Sequence, residues 1–203
     1  MPNKLFRVIG ITGGVGAGKS TILNFIQDHY KCRIIFTDDL AKELCISGEV
    51  CFEPLVDLLG RDVLSDDGEI DKAKMAEAIY RDSSLRIKVN DIIHPAVYDR
   101  ILQIIKTEKE AGNIEFLFIE AALLIECGYN KVVDEMWYIY ADEPSRRIRL
   151  KASRGYTDER IDGILKGQLS EDEFRRGSDF VIDNSGSPEE SFKSIRERMK
   201  EYE

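Results

Sequence analysis

The sequence predicts an α/β fold, a parallel five-stranded sheet covered by helices on both faces, and three observations carry that prediction. Short apolar runs recur between segments of helical periodicity, at Arg7–Thr12, Arg33–Phe36, Glu115–Glu120, Met136–Ala141 and Phe180–Asp183. The first run leads directly into Gly13-Gly14-Val15-Gly16-Ala17-Gly18-Lys19-Ser20, which fits G-x-x-x-x-G-K-[ST]. Roughly 80 residues, Thr37 to Ile114, separate the second and third runs, far more than one crossover helix needs. The expected architecture is a three-layer α/β/α P-loop NTPase fold with a helical insertion. The expected boundaries are a core of 1–39, 113–141 and 178–203, an insertion over about 40–112, and a helical lid over about 142–177.

The first strand is β-branched and apolar, as a strand buried on both faces must be. After the glycine loop, Ile22, Phe25 and Ile26 fall on one helical face. Glycines let the backbone wrap an anion without side-chain clashes, and successive N–H groups and the helix dipole point at it. The nucleotide-binding set read here is Gly14, Val15, Gly16, Ala17, Gly18, Lys19, Ser20 and Thr21. Lys19 reaches the β and γ phosphates of a nucleoside triphosphate, and the Ser20 hydroxyl holds Mg²⁺.

Asp38 follows the second strand, and the carboxyl ends of strands in an open α/β sheet line the ligand crevice. A carboxylate there can accept the proton of an attacking hydroxyl. Asp39 competes for the role, and capping of the next helix is the alternative for either. The insertion reads as helices at Leu40–Ser47, Phe52–Leu59, Asp71–Tyr80, Ser83–Ile93 and Ala96–Ala111, and is assigned the acceptor substrate. His94-Pro95 marks the break between the last two, as a packed hinge or a substrate contact. His29, late in the first helix, is a surface residue.

Two segments imitate a guanine-nucleotide switch. Asp57-Leu58-Leu59-Gly60 matches D-x-x-G but lies in a helical pattern that Gly60 ends as a cap. Asn130-Lys131-Val132-Val133-Asp134 has one residue too many for N-K-x-D and precedes a strand. Glu120 ends the third strand, placed either to act on Mg²⁺ through water or to cap the next turn.

The net charge is −9, which argues against nonspecific nucleic-acid binding and demands a local store of positive charge for a polyphosphate. Five of the nine residues Arg146–Arg154 are basic, directly after the fourth strand. Such a segment suits a lid that closes over phosphates, a solvated helix face being the bland reading of any one arginine. Pro188, after Ser187 and before Glu190, starts a final helix whose inner face is Phe192, Ile195 and Met199. Cys32, Cys45, Cys51 and Cys127 have irregular spacing and read as reduced packing cysteines of a cytoplasmic protein. No run approaches a membrane span, and no signal-peptide apolar region opens the chain.

Several segments together resemble the dephospho-CoA kinases. Thr12–Thr21 resembles that family's T-G-G-[IV]-G-[SA]-G-K-S-T loop, and Thr37-Asp38-Asp39-Leu40-Ala41 its D-A-D-x-x-A segment, with Phe36 at the first aspartate. Val63–Lys72 is similar to L-x-x-D-G-x-[IL]-[DN]-R with lysine last, and His94-Pro95 to its H-P pair. Glu120–Glu126 resembles D-x-P-L-L-[FY]-E with Ala122 replacing proline, and Gln168 and Ser178–Gly186 its Q and A-D-x-V-I-D-N-x-G. The resemblance implies phosphorylation of the ribose 3′-hydroxyl of dephospho-CoA by Mg²⁺–ATP, giving CoA and ADP. It implies Asp38 as catalytic base, Lys19 on the γ-phosphate, Arg149 or Arg154 bridging donor and acceptor, and Asn184 and Gly186 at the adenine. Asp38, His94 and Leu123 would hold the acceptor. ATP and dephospho-CoA are then the partners of a monomer or small homo-oligomer. Another P-loop kinase of a small acceptor, or a nucleotide-dependent switch, is the alternative.

Overall fold

The computed structural model describes residues 6–121, 124–125 and 128–202. The chain divides into two compact units, Phe36–Thr107 forming one and the segments on either side of it the other. The strands are β1 (Arg7–Thr12), β2 (Cys32–Phe36), β3 (Phe116–Glu120), β4 (Glu135–Tyr140) and β5 (Phe180–Asp183). They form one sheet in the order β2-β3-β1-β4-β5, with β1 parallel to both β3 and β4, and β4 parallel to β5. The expected strands are all present, within one residue at either end.

Helix α1 (Lys19–His29) follows the glycine loop. The insertion carries α2 (Thr37–Leu44), α3 (Phe52–Leu59), α4 (Lys72–Arg81) and α5 (Ser84–Ala111), and the second half of the chain carries α6 (Glu143–Arg154), α7 (Asp158–Lys166), α8 (Glu171–Arg176) and α9 (Pro188–Lys200). Alternation along the strands sends one set of side chains to each face of the sheet. On one face Ile9, Ile11, Phe118, Trp137, Ile139 and Ile182 pack with Ile22, Leu23, Phe25 and Ile26 of α1 and Ile195 and Met199 of α9. Trp137 is fully buried, edge-on to Phe118 at 5.8 Å and Phe180 at 5.2 Å. On the other face Val8, Leu117, Ile119, Met136 and Tyr138 are also buried, and Phe174 of α8 stacks on Tyr138 at 4.8 Å.

At the amino end of β4 the buried Glu135 is clamped by the C-terminal helix. Arg198 donates Nε and Nη2 to one carboxylate oxygen at 2.8 and 2.5 Å, and the Tyr202 hydroxyl donates to the other. A buried carboxylate is tolerable because all three bonds come from cationic or polar donors. The C-terminal helix starts at Pro188 as expected, but Ser187 makes no side-chain cap bond.

The other unit is helical. Leu40, Leu44, Phe52, Leu55, Val56, Val63, Val89, Val97 and Ile101 are buried, and Arg100 pairs with Glu49 at 2.9 Å. Gly60 ends α3 with φ 84°, the cap expected of it. Two expectations need correction. The first insertion helix runs Thr37–Leu44 instead of Leu40–Ser47, so Asp38 and Asp39 lie within its first turn. The helices expected at Ser83–Ile93 and Ala96–Ala111 are one helix that passes through Pro95. A mid-helix proline costs ~3 kcal/mol, yet buried Val89 before it and Val97 and Ile101 after it supply packing on both sides. The His94-Pro95 pair therefore lies inside a helix and is not a break between two.

Candidate active site

The glycine loop joins the carboxyl end of β1 to the N-terminus of α1. Gly18 occupies the cap position with φ 88°, a left-handed conformation that a side chain would strain. A Cβ there would also stand 2.4 Å from Nδ2 of Asn184. Among the described residues, the N–H groups of Val15, Gly16, Gly18 and Ser20 have no protein acceptor. Orphan donors at a helix start, with the dipole behind them, form an anion cradle. The Lys19 ammonium folds back over it, donating to the Gly13 carbonyl at 2.8 Å and lying 3.5 Å from the Glu120 carboxylate at the end of β3.

The loop is braced from the far side by the strand–helix turn after β5. Asn184 is 3% exposed, and its Nδ2 donates to the Ala17 carbonyl at 2.8 Å. Its Oδ1 accepts from the Ser191 hydroxyl at 3.0 Å, and that hydroxyl also donates to the Asp183 carbonyl at 2.8 Å. The Asn184 side chain, read from sequence as an adenine contact, is thus engaged with the loop itself. Gly186, its companion in that reading, is exposed, with Glu190 packed against it.

The five cations of α6 separate into distinct environments. Arg146 lies over the loop, donating Nε to the Val15 carbonyl at 2.9 Å and Nη2 to the Gln168 side-chain oxygen at 2.5 Å. Arg149 donates to the Asn184 carbonyl at 2.7 Å and reaches the Ala17 carbonyl at 3.4 Å. Arg147 is held by three carboxylates, those of Glu143, Asp158 and Asp162, and its bonds to Asp162 and Glu143 push its ionisation well above the ordinary arginine range. Lys151 pairs with Asp158 at 2.8 Å. Arg154 stands over the Tyr156 ring at 5.8 Å, on the surface. Of the two arginines expected to act, Arg149 is on the loop and Arg154 is not; Arg146 was not singled out. Its clue was spacing, since Leu150 is the buried residue of α6 and Arg146, four positions before it, shares that face.

A phosphate cradle with a docked lysine and loop-bound arginines is what a phosphoryl-transfer enzyme requires, and comparison with known proteins identifies which kind. A family model described as dephospho-CoA kinase matches residues 7–190. The chain belongs to the dephospho-CoA kinase family. It is 31% identical over 188 residues to the dephospho-CoA kinase of Carboxydothermus hydrogenoformans, covering 93% of this chain and 90% of that one. To that of Aquifex aeolicus it is 33% identical over 195 residues, covering 95% and 96%. The solved dephospho-CoA kinase from Campylobacter jejuni superposes with a TM-score of 0.71 at 21% identity, covering 96% of each chain, a likeness of fold.

Asp38 and Asp39 are exposed in the first turn of α2, where the helix dipole favours carboxylates. Neither caps α2: its cap residue is Phe36, with no side-chain bond. Asp39 pairs with Lys42 at 2.5 Å, whereas the Asp38 carboxylate has no bond or ion pair among the described residues. His94 is exposed on α5. Leu123, and the Ala122 that departs from the family pattern, lie outside the described residues. His29 is exposed, stacked on Phe25 at 4.2 Å, and Asp134 of the discounted N-K-x-D look-alike accepts from the Val8 N–H at 2.8 Å. No cluster of three metal-ligating side chains occurs among the described residues, and no helix there is long and apolar enough to cross a membrane.

Proposed function

We propose that this chain transfers the γ-phosphoryl group of ATP to the ribose 3′-hydroxyl of dephospho-CoA, giving CoA and ADP. The observation that carries the reading is the loop itself: orphan N–H donors at the start of α1, with Lys19 folded across them, in a chain of this family. The loop amides and Lys19 bind the β and γ phosphates and hold the γ-phosphoryl for in-line attack. Lys19 exchanges its Gly13 carbonyl for phosphate oxygens, a trade of a neutral partner for a charged one. Asp38 orients the acceptor hydroxyl and takes its proton. Of the two adjacent aspartates it is the one not spent on an ion pair, which supports it over Asp39. Gly14–Thr21 make the ATP site, with Gly186 and the backbone at Asn184 on its adenine side while the Asn184 side chain braces the loop; His94 and Leu123 belong to the acceptor site.

The donors present suit a hard divalent cation. Ser20 presents an exposed hydroxyl at the helix start, and Glu120 a carboxylate at the neighbouring strand end. Bound with ATP, Mg²⁺ would neutralise charge on the β and γ phosphates. Residues 40–112 act as the acceptor-binding insertion and 142–177 as a lid. The described cysteines Cys32, Cys45 and Cys51 are free thiols, which fits a cytoplasmic enzyme; it acts on small-molecule partners as a monomer or a small homo-oligomer.

The test offers dephospho-CoA beside AMP, CMP, dTMP and adenosine in the presence of Mg²⁺–ATP, following ADP release and product mass. A product one phosphate heavier from dephospho-CoA alone is expected; phosphorylation of a different acceptor would overturn the substrate. Asp38→Asn is expected to lower kcat about a hundredfold while ATP still binds. Unchanged turnover in that variant would remove Asp38 from the mechanism.

A further inference from the structure

We propose that Arg146, held in place by Gln168, is the arginine that binds the polyphosphate of the nucleotide. The proposal rests on the kinase reading above and assigns within it a residue that neither the motif nor the family pattern marks.

Position is the first argument. The Arg146 guanidinium lies on the loop where Gly14 has no side chain: a Cβ at Gly14 would stand 2.4 Å from Nη2 and 2.6 Å from Cζ. Gly14 does not take a positive φ, so backbone conformation does not demand glycine there; the arginine above it does. Leu150, one turn along α6, packs on Gly16, so this face of α6 is anchored against the loop at two points.

Charge is the second. Arg147, Lys151, Arg175 and Arg198 each pair with a carboxylate. Arg146 touches only neutral oxygens, the Val15 carbonyl and the Gln168 amide, and makes no ion pair among the described residues. It is also partly buried, and burial pulls its ionisation below the ordinary arginine value. A cation partly withdrawn from water with no ion-pair partner is an unfavourable arrangement that an incoming anion relieves.

Geometry is the third. The two hydrogen bonds engage Nε and one N–H of Nη2, so both N–H groups of Nη1 and the second of Nη2 have no protein acceptor among the described residues. A planar fork with three open donors, beside the orphan amides of Val15 and Gly16, matches adjacent phosphate oxygens. Gln168 fits the same purpose. As a neutral acceptor it aims the guanidinium without cancelling its charge, which a glutamate in its place would do.

The experiment compares the full chain with Arg146→Ala, Arg146→Lys, Gln168→Glu and Arg147→Ala. Calorimetric titration with ATP, ADP and AMP is followed by turnover with dephospho-CoA. Arg146→Ala is expected to weaken ATP and ADP about tenfold or more and AMP much less. It should lower kcat on the order of a hundredfold, the usual cost of a lost transition-state donor. Arg146→Lys should restore only part of the loss, because an ammonium lacks the fork. Free guanidinium ion should raise the turnover of Arg146→Ala. Gln168→Glu, which keeps the arginine and its packing, should also weaken ATP, and it carries the test if Arg146→Ala does not fold. Arg147→Ala should behave as wild type. Nucleotide affinities and kcat within twofold of wild type in Arg146→Ala, or in Gln168→Glu where that variant stands in, would overturn the assignment while leaving the kinase reading intact. A wild-type chain that binds no ATP would overturn the reading, and the assignment with it.

Discussion

Truncating Asn184 separates two roles that sequence alone runs together. Asn184→Ala removes a 2.8 Å bond to the Ala17 carbonyl and a 3.0 Å bond from Ser191, both in a site 3% exposed. The Ser191 hydroxyl keeps the Asp183 carbonyl, so it is not stranded. The Ala17 carbonyl keeps only the 3.4 Å approach of Arg149, and Ala17 is 2% exposed. Leaving a buried acceptor so poorly served costs about 1–3 kcal/mol, and the second lost bond adds about 1 kcal/mol. The expected loss is therefore about 3 kcal/mol in the nucleotide-free protein, a fall in Tm of about 6–12 °C for a chain of this length. The assay is urea unfolding followed by tryptophan fluorescence. Trp137 is the single tryptophan and is fully buried in the sheet, so the signal reports the unit that contains the loop. ATP affinity should fall as well, because the loop loses its brace. Asn184→Ala and Ser191→Ala should be non-additive by at least about 0.5 kcal/mol, since they share one bond. Nucleotide-free stability within about 0.5 kcal/mol of wild type, with ATP affinity reduced, would show the reasoning wrong and make the side chain a nucleotide contact.

Further expectations follow from the loop and from the clamp at the other end of the sheet. Gly14→Ala should fold normally but reproduce the nucleotide-binding loss of Arg146→Ala, because the new Cβ displaces a flexible side-chain tip; wild-type ATP affinity in Gly14→Ala would count against that close approach. Arg198→Ala strips the main partner from buried Glu135 and should cost about 3 kcal/mol in urea unfolding, a loss under about 1 kcal/mol contradicting the clamp. The Tyr202 hydroxyl is pushed up to about 12 by burial and by the Glu135 carboxylate it serves. A raised native value stabilises the fold below the ordinary value of 10 and loses that contribution as pH rises towards 12. Wild type should therefore lose stability relative to Tyr202→Phe across that window, and parallel curves would refute the coupling.

Every strand was legible in the sequence, because apolar runs between helical patterns and a glycine loop after the first of them are local signals. So were the caps at Gly60 and the start at Pro188. The departure at Pro95 has a physical origin. Pro95 reads as a break because local propensity opposes helix there, but the fate of a helix is decided by what packs on its faces, and Val89, Val97 and Ile101 are buried around it.

The same division holds at the candidate site. The sequence by itself determined the loop, the lysine and the family, since each depends on residues adjacent along the chain or in a fixed order. Which of five neighbouring cations touches the loop was not determined there. Arg146, Arg147 and Arg149 are chemically identical and stand within one helical turn. Only the partners brought by distant segments, Val15, Gln168, Asp162 and Asn184, tell them apart. Asn184 shows the converse: its place after the last strand suggests a ligand contact, and the fold instead presents it to the Ala17 carbonyl, 167 residues away in sequence. Tertiary structure decided these roles because a side chain's function is set by the charge and hydrogen-bond partners around it, and those arrive from elsewhere in the chain.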